Sequence, residues 1–309
     1  MDGHILVIGA MLIDTKGVPL QGLEPGTSNS ADIHSVRGGT ARNVAENLGA
    51  LGADVILVSA VGDDIDGRRL LAETAMAGVD VSHVRIVPDS HTGSYMAILN
   101  DDGSLAVALN DTAVMNHVTP DWLMRHRALF REARIVFFDG SVSEHVVQTV
   151  FYLADQYNLP VGADPSSTRL VPRLRPWLSH LTLAVPNARE AAALLNADID
   201  QFDSDTSLAL AKELHRSGIE VAVVTLSDYG LVYATSGEHG HLPALYREVV
   251  DSTGTGDAIT AAIIFGMLEN LPVTDCMRLG AAAAGLTLQS RETVVPGLTL
   301  DLLYDNLTL

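Results

Sequence analysis

The sequence predicts a doubly wound α/β fold, with a mostly parallel central sheet, helices on both faces and a small β-sheet lid. Short, continuously apolar stretches of strand length alternate with helical stretches along most of the chain. Strands without polar alternation are buried on both faces, the hallmark of a parallel sheet between helical layers. Two segments rich in turn residues interrupt the rhythm, and they supply the lid.

In chain order, residues 5–8 form the first strand; the residues before them carry no basic leader with a cleavage site. Asp14 follows that strand directly. A carboxylate at a carboxyl strand end is acceptor-only and suits vicinal sugar hydroxyls, though a turn aspartate would look the same. Residues 14–37, with Pro19, Pro25 and several glycines, leave the sheet. A helix over 40–51, a strand over 55–59 and a helix over 67–77 return to it. Residues 94–99 and 105–109 then read as an antiparallel pair joined through Asp102-Gly103, a good hairpin turn. Segments 14–37 and 92–112 together make the lid, and 1–13, 38–91 and 113–309 the core. Strands at 135–138, 161–163, 181–184 and 221–225 continue the core, separated by helices at 144–156, 188–195 and 206–217. A last helix spans 257–269. Ligands in such a sheet bind at the carboxyl ends of the strands, under the lid.

Composition narrows the function. A chain of 309 residues that is 47% apolar and 18% charged is globular and large enough for one α/β domain with an appendage. A net charge of −19 argues against nucleic-acid and anionic-membrane partners, which need compensating Lys and Arg. The single Cys276 excludes an intrachain disulfide and a multi-cysteine metal site, and fits a cytoplasmic location. The apolar runs 258–268 and 280–288 are too short to span a bilayer. The eleven histidines show no metal-ligand spacing.

The chemistry concentrates in a few motifs. Asp251-Ser252-Thr253-Gly254-Thr255-Gly256-Asp257 runs into the apolar stretch of the last helix. Unpaired N–H groups at such a helix start form an anion cradle. Asp257 in the same turn would repel a phosphate, but it is well placed to take a proton from a hydroxyl that attacks one. Ile259 replaces the third glycine of a dinucleotide fingerprint, and no P-loop occurs. Gly38-Gly39 opens the 40–51 helix, with Arg42 and Asn43 in its first turn as a fork of donors and an amide. Read singly, a surface cation and a capping amide are equally good accounts of these two. Asn187 and Glu190 lie three apart on one helix face. Their hard oxygens suit Mg²⁺, but on this segment alone a capping box is the better account. Thr225, Ser227 and Gly230 close a strand and suit a nucleotide-edge loop.

These signatures, in this order, resemble those of the ribokinase-like (phosphofructokinase-B) carbohydrate kinases over essentially the whole chain. Within that family the chain is most similar to pseudouridine kinases. The narrower match rests on residues 25–29, 38–48, 59–64, 92–95 and 108–111. The resemblance implies an ATP-dependent kinase for the 5′-hydroxyl of a ribosyl nucleoside; a kinase for ribose, another sugar or a common nucleoside is the alternative. A catalytically silent sugar-binding regulator is the alternative of another class. Carried over by position, Asp257 is the base, and the N–H groups of Gly254, Thr255 and Gly256 form the anion hole. Asp14, Gly38, Gly39, Arg42, Asn43, Ser94 and Asn110 hold the sugar. Asn187, Thr225, Ser227 and Gly230 line ATP, and Asn187 and Glu190 serve Mg²⁺ through water. Asp251 and Thr253 lie at a site for a monovalent cation such as K⁺. A homodimer through the lid is also implied.

Overall fold

The computed structural model describes residues 3–100, 104–226, 230–244 and 249–307. Its strands are β1 (His4–Ile8), β2 (Leu12–Pro19), β3 (Ala31–Gly38), β4 (Val55–Gly62), β5 (Val79–Asp80), β6 (Val84–Val87) and β7 (Gly93–Leu99). They continue with β8 (Leu105–Asp111), β9 (Ala133–Asp139), β10 (Val161–Asp164), β11 (Leu183–Ala184), β12 (Val221–Thr225), β13 (Leu231–Ala234) and β14 (His239–Leu242). The main sheet runs β14-β13-β12-β11-β10-β9-β1-β4-β5, with β6 also paired to β4. All pairs from β12 to β5 are parallel. The chain fills the β4 side of β1 first and then the β9 side, so the strand order reverses between β1 and β9, where a crevice forms.

Alternation along β1 shows why its residues are apolar on both faces. Leu6 and Ile8 join one core with Val136, Phe138, Val146 and Phe151. Ile5 and Val7 join the other with Val44, Leu57, Ile259 and Ile263. The helix Glu144–Tyr157 covers the first face, and the helices Thr40–Ala50 and Thr255–Leu268 cover the second. Ser143 caps the Glu144–Tyr157 helix by accepting from the Val146 N–H, and Asn158 ends it in the left-handed region.

A separate four-stranded sheet, β3-β2-β7-β8, lies off the main one. Expected as a hairpin with a loop-rich segment, it contains two further strands, β2 and β3, within and around that segment. Buried and half-buried residues alternate along the first part of β2, but the buried positions include the charged Asp14 and Lys16; charges on the covered face, in a segment ending at Pro19, hid the strand. The Asp102-Gly103 turn lies outside the described residues. An antiparallel hairpin, β13–β14, also extends the main sheet, over residues for which no element was expected. The apolar run at 280–288 belongs to a helix, Val273–Leu288, packed on Thr255–Leu268. Gly266 against Cys276 and Gly280 against Ile263 allow the close approach. Among the described residues no helix is long and apolar enough to cross a membrane.

Candidate active site

The crevice is pinned by a residue that sequence reading did not single out. Asp139, at the carboxyl end of β9, is buried and accepts from the N–H of Ala10 at 2.9 Å and of Ala41 at 3.0 Å. The Ser141 N–H adds a third bond at 2.9 Å. Burial pushes the Asp139 carboxyl up, and these bonds hold it partly down. One carboxylate thus ties the end of β1, the start of the Thr40–Ala50 helix and the end of β9 together.

The diglycine at that helix start serves close approach. Gly39 has a φ of 96°, in the region that favours glycine. A Cβ there would also collide with the Ala10 carbonyl, and one at Gly38 with the Asp14 carboxylate. Asn43, one turn in, donates from Nδ2 to Asp257 Oδ2 at 2.6 Å. Asp257 stands in the first turn of the Thr255–Leu268 helix, whose start is Gly254 at φ 81°. A Cβ at Gly254 would meet the Thr293 carbonyl, whereas Gly256 faces open space. Enclosure raises Asp257 from an ordinary 3.8 to about 7; Asn43 and Arg42 lower it, and the Asp14 and Asp139 charges add to the rise.

Asp14 was expected at the end of β1. It lies instead within β2 of the small sheet, because β1 stops at Ile8 and the chain crosses over before pairing again. Its partners in register are Val36 and Tyr95. It is 6% exposed, and burial raises it to about 6 against the pull of Arg42 and Lys16. Asn110 pairs with Tyr95 on β8 and shares the Asp14 face. Ser94 does not: it is in register with Ile13, so the pleat turns it away from Asp14, and Tyr95 takes the inward position.

Arg42 is a second correction. It is fully buried, and each of its three nitrogens donates within the protein. Nε reaches the Gly38 carbonyl at 3.0 Å, and Nη1 is paired with Glu46. Nη2 donates to the Arg37 carbonyl at 2.9 Å, to Thr293 Oγ1 at 2.8 Å and to Asn43 Oδ1. A side chain with no exposed surface presents no donor to a substrate. Arg42 instead fixes the amide of Asn43, which in turn holds Asp257.

Beside Asp257 opens a cavity of about 270 Å³ at the carboxyl ends of β10 to β12. Asn187, Glu190, Thr225, Gly230, Thr255 and Gly256 line it with Asp257. Ser227 lies outside the described residues. Asn187 and Glu190 do form a capping box: Asn187 Oδ1 accepts from the Glu190 N–H and Glu190 Oε2 from the Asn187 N–H, each at 3.0 Å. The second Glu190 oxygen takes no part in the box. Asp164, at the end of β10 and absent from the sequence reading, lines the same cavity. Its pKa is raised well above the ordinary value by burial and by the Glu190 and Asp257 charges. Burial raises Glu190 as well. Two buried carboxylates, one of them raised by the charge of the other, are a donor set that a hydrated divalent cation would relieve. Among the described residues no three acidic, His or Cys side chains form a closed metal cage. Asp251 and Thr253 are both bonded to Lys16, which the sequence reading also missed.

The missed residues left a signal. Asp139 and Asp164 each follow an expected strand immediately, where binding groups in this sheet type collect. Lys16 and Tyr95 sit on strands whose inward face was readable only once β2 was paired.

Residues 2–299 match the profile of the pfkB family carbohydrate kinases. The pseudouridine kinase of Escherichia coli (strain K12) is 30% identical over 96% of this chain and 94% of its own. The uncharacterized sugar kinase YeiI of the same organism is 33% identical over 96% of this chain and 82% of its own. The structure of Arabidopsis thaliana ribokinase complexed with ribose and ATP superposes with a TM-score of 0.83, covering 100% of both chains at 22% identity.

Proposed function

Because the chain belongs to the pfkB family of carbohydrate kinases, we propose that it transfers the γ-phosphoryl group of ATP to the 5′-hydroxyl of a ribosyl nucleoside, with pseudouridine preferred. The observation that carries this reading is Asp257, with a pKa of about 7, in the first turn of a helix that begins on Gly254. At neutral pH such a carboxyl can take the hydroxyl proton as the new O–P bond forms and the bond to ADP breaks. The N–H groups of Gly254, Thr255 and Gly256 sit where charge develops on the phosphoryl oxygens.

The remaining roles follow from position. Asp14, ionised at neutral pH, accepts from the ribose hydroxyls, and Gly38 and Gly39 let the sugar approach the backbone. Asn43 orients Asp257 and keeps one amide hydrogen for substrate. Asn110 and Tyr95 reach in from the lid. Asn187, Thr225 and Gly230 line ATP. Glu190, Asn187 and Asp164 would hold Mg²⁺ through water; when bound, the ion would neutralise phosphate charge. The lid exposes an apolar outer face of Ile33, Met96, Leu105, Val107 and Leu109, which supports a homodimer through the lid. A buried free thiol at Cys276 agrees with a cytoplasmic location.

Similarity to the E. coli pseudouridine kinase supports the choice of nucleoside; similarity to a sugar kinase favours a second reading, phosphorylation of a free sugar. The test is initial rates of ADP release with pseudouridine, uridine, inosine, adenosine and ribose. Pseudouridine keeps a free ring N–H that uridine lacks in that position. A buried acceptor left unpaired costs about 1–3 kcal/mol, so kcat/KM should favour pseudouridine over uridine by roughly 10–100-fold. Preference for ribose or a purine nucleoside would overturn the substrate and leave the kinase standing.

A further inference from the structure

The residues expected to hold a monovalent cation do not fit a free ion. Lys16 Nζ lies 2.5 Å from both carboxylate oxygens of Asp251 and also donates to Thr253 Oγ1. An ammonium has three donors and no acceptor, so all three are matched by oxygens from these two residues. Lys16 is only 6% exposed. The Thr253 N–H adds a bond to Asp251 Oδ1 at 2.8 Å. Burial pushes Asp251 up, but its bonds to Lys16 and Thr253 outweigh that and hold it below the ordinary value.

The two partners come from distant parts of the chain. Lys16 stands on β2 of the lid, two residues beyond Asp14 and therefore on the same face. Asp251 and Thr253 belong to the segment that leads into Gly254 and the helix carrying Asp257. We infer that Lys16 is a built-in cation: its ammonium takes the position of a monovalent ion between the lid strand and the anion-binding helix start, and turnover needs no K⁺. A tethered charge is present at any salt composition, and it also fixes the loop before Gly254 against the strand that carries Asp14. Lys16 is thus a positioning residue for phosphoryl transfer, and the inference rests on that reading of the site.

The test compares wild-type rates and melting temperature in KCl, NaCl and tetramethylammonium chloride at equal ionic strength. Wild-type rates should agree within about twofold, as expected when salts act only by screening, with the same melting temperature in each. Lys16→Ala vacates the position. In tetramethylammonium chloride it should lose roughly 10–100-fold in rate, because a half-buried carboxylate is left without its cation. KCl should then restore part of the rate and raise the melting temperature. Lys16→Met, which keeps most of the stem, should behave alike. Specific activation or stabilisation of the wild type by K⁺ overturns the inference. So does loss of rate in the variants without recovery in KCl, or full rate without any cation response. Should neither variant fold, the wild-type comparison decides by itself. If no acceptor is phosphorylated, the melting comparison still reads the Lys16 position independently of the reaction.

Discussion

Two helices in this protein begin with nearly the same grammar, an acidic residue three places after the N-cap, and put it to opposite uses. At Ala188–Leu195 the acid serves its own helix. Asn187 sits at φ −73° and exchanges bonds with Glu190, so two backbone donors are satisfied on the spot. At Thr255–Leu268 the N-cap is Gly254, which has no side chain to offer, and no side-chain cap bond forms. Its acid, Asp257, is bonded to Asn43 on another helix. The first start is capped by its own acid, with one Glu190 oxygen left over for the cavity. The second makes no bond from its cap side chain to its own N–H groups, only a long 3.4 Å bond from the Thr255 N–H to the Ser252 carbonyl, and keeps its carboxylate for a proton. What separates them is whether the acid satisfies its own helix, and that is decided by the residue at the cap.

Substitutions at the two starts should therefore split into rate and stability. Asp257→Asn keeps the shape and the Asn43 contact but loses the proton acceptor; kcat should fall by roughly 10²–10⁴. Stability should move the other way. Asp257 goes from 3.8 to about 7 on folding, so its contribution is full below pH 3.8 and is lost as pH rises through 7. The variant should melt above the wild type at pH 8, with the gap closing toward pH 4. Near-normal turnover, or a lower melting temperature at pH 8, would put Asp257 with the structural acids.

The effect of Asn187→Ala should be smaller and of the other kind. Losing an N-cap costs about 0.5–2 kcal/mol, visible as a lower melting temperature, with kcat at saturating Mg·ATP changed far less than in Asp257→Asn. A loss of kcat as large as that of Asp257→Asn, with stability intact, would erase the contrast between the two starts.

Much of this was legible in the sequence because it depends on local order. The parallel strands are continuously apolar, and the cap glycines, Asp257 and the Asn187–Glu190 pair are short-range patterns. What was not legible depends on pairing across the chain. Asp14 looked like the end of β1 because nothing local marks where β1 stops and β2 starts. Ser94 and Tyr95 could be assigned to faces only after β7 had been paired with β2. Arg42 reads as a donor for substrate until its partners appear, and one of them, Thr293, is 251 residues away. Lys16 and Asp251, 235 residues apart, pose the same difficulty.

The central claim is that Asp257 acts as a base tuned to neutral pH, and the pH dependence of kcat/KM for the preferred acceptor tests it most directly. With Asp257 raised to about 7, kcat/KM should fall on the acid side with an apparent pKa near that value, one proton being involved. In Asp257→Asn the residual rate should lose this limb. A wild-type profile that stays flat down to pH 5, or an acid limb that survives unchanged in Asp257→Asn, would contradict the account.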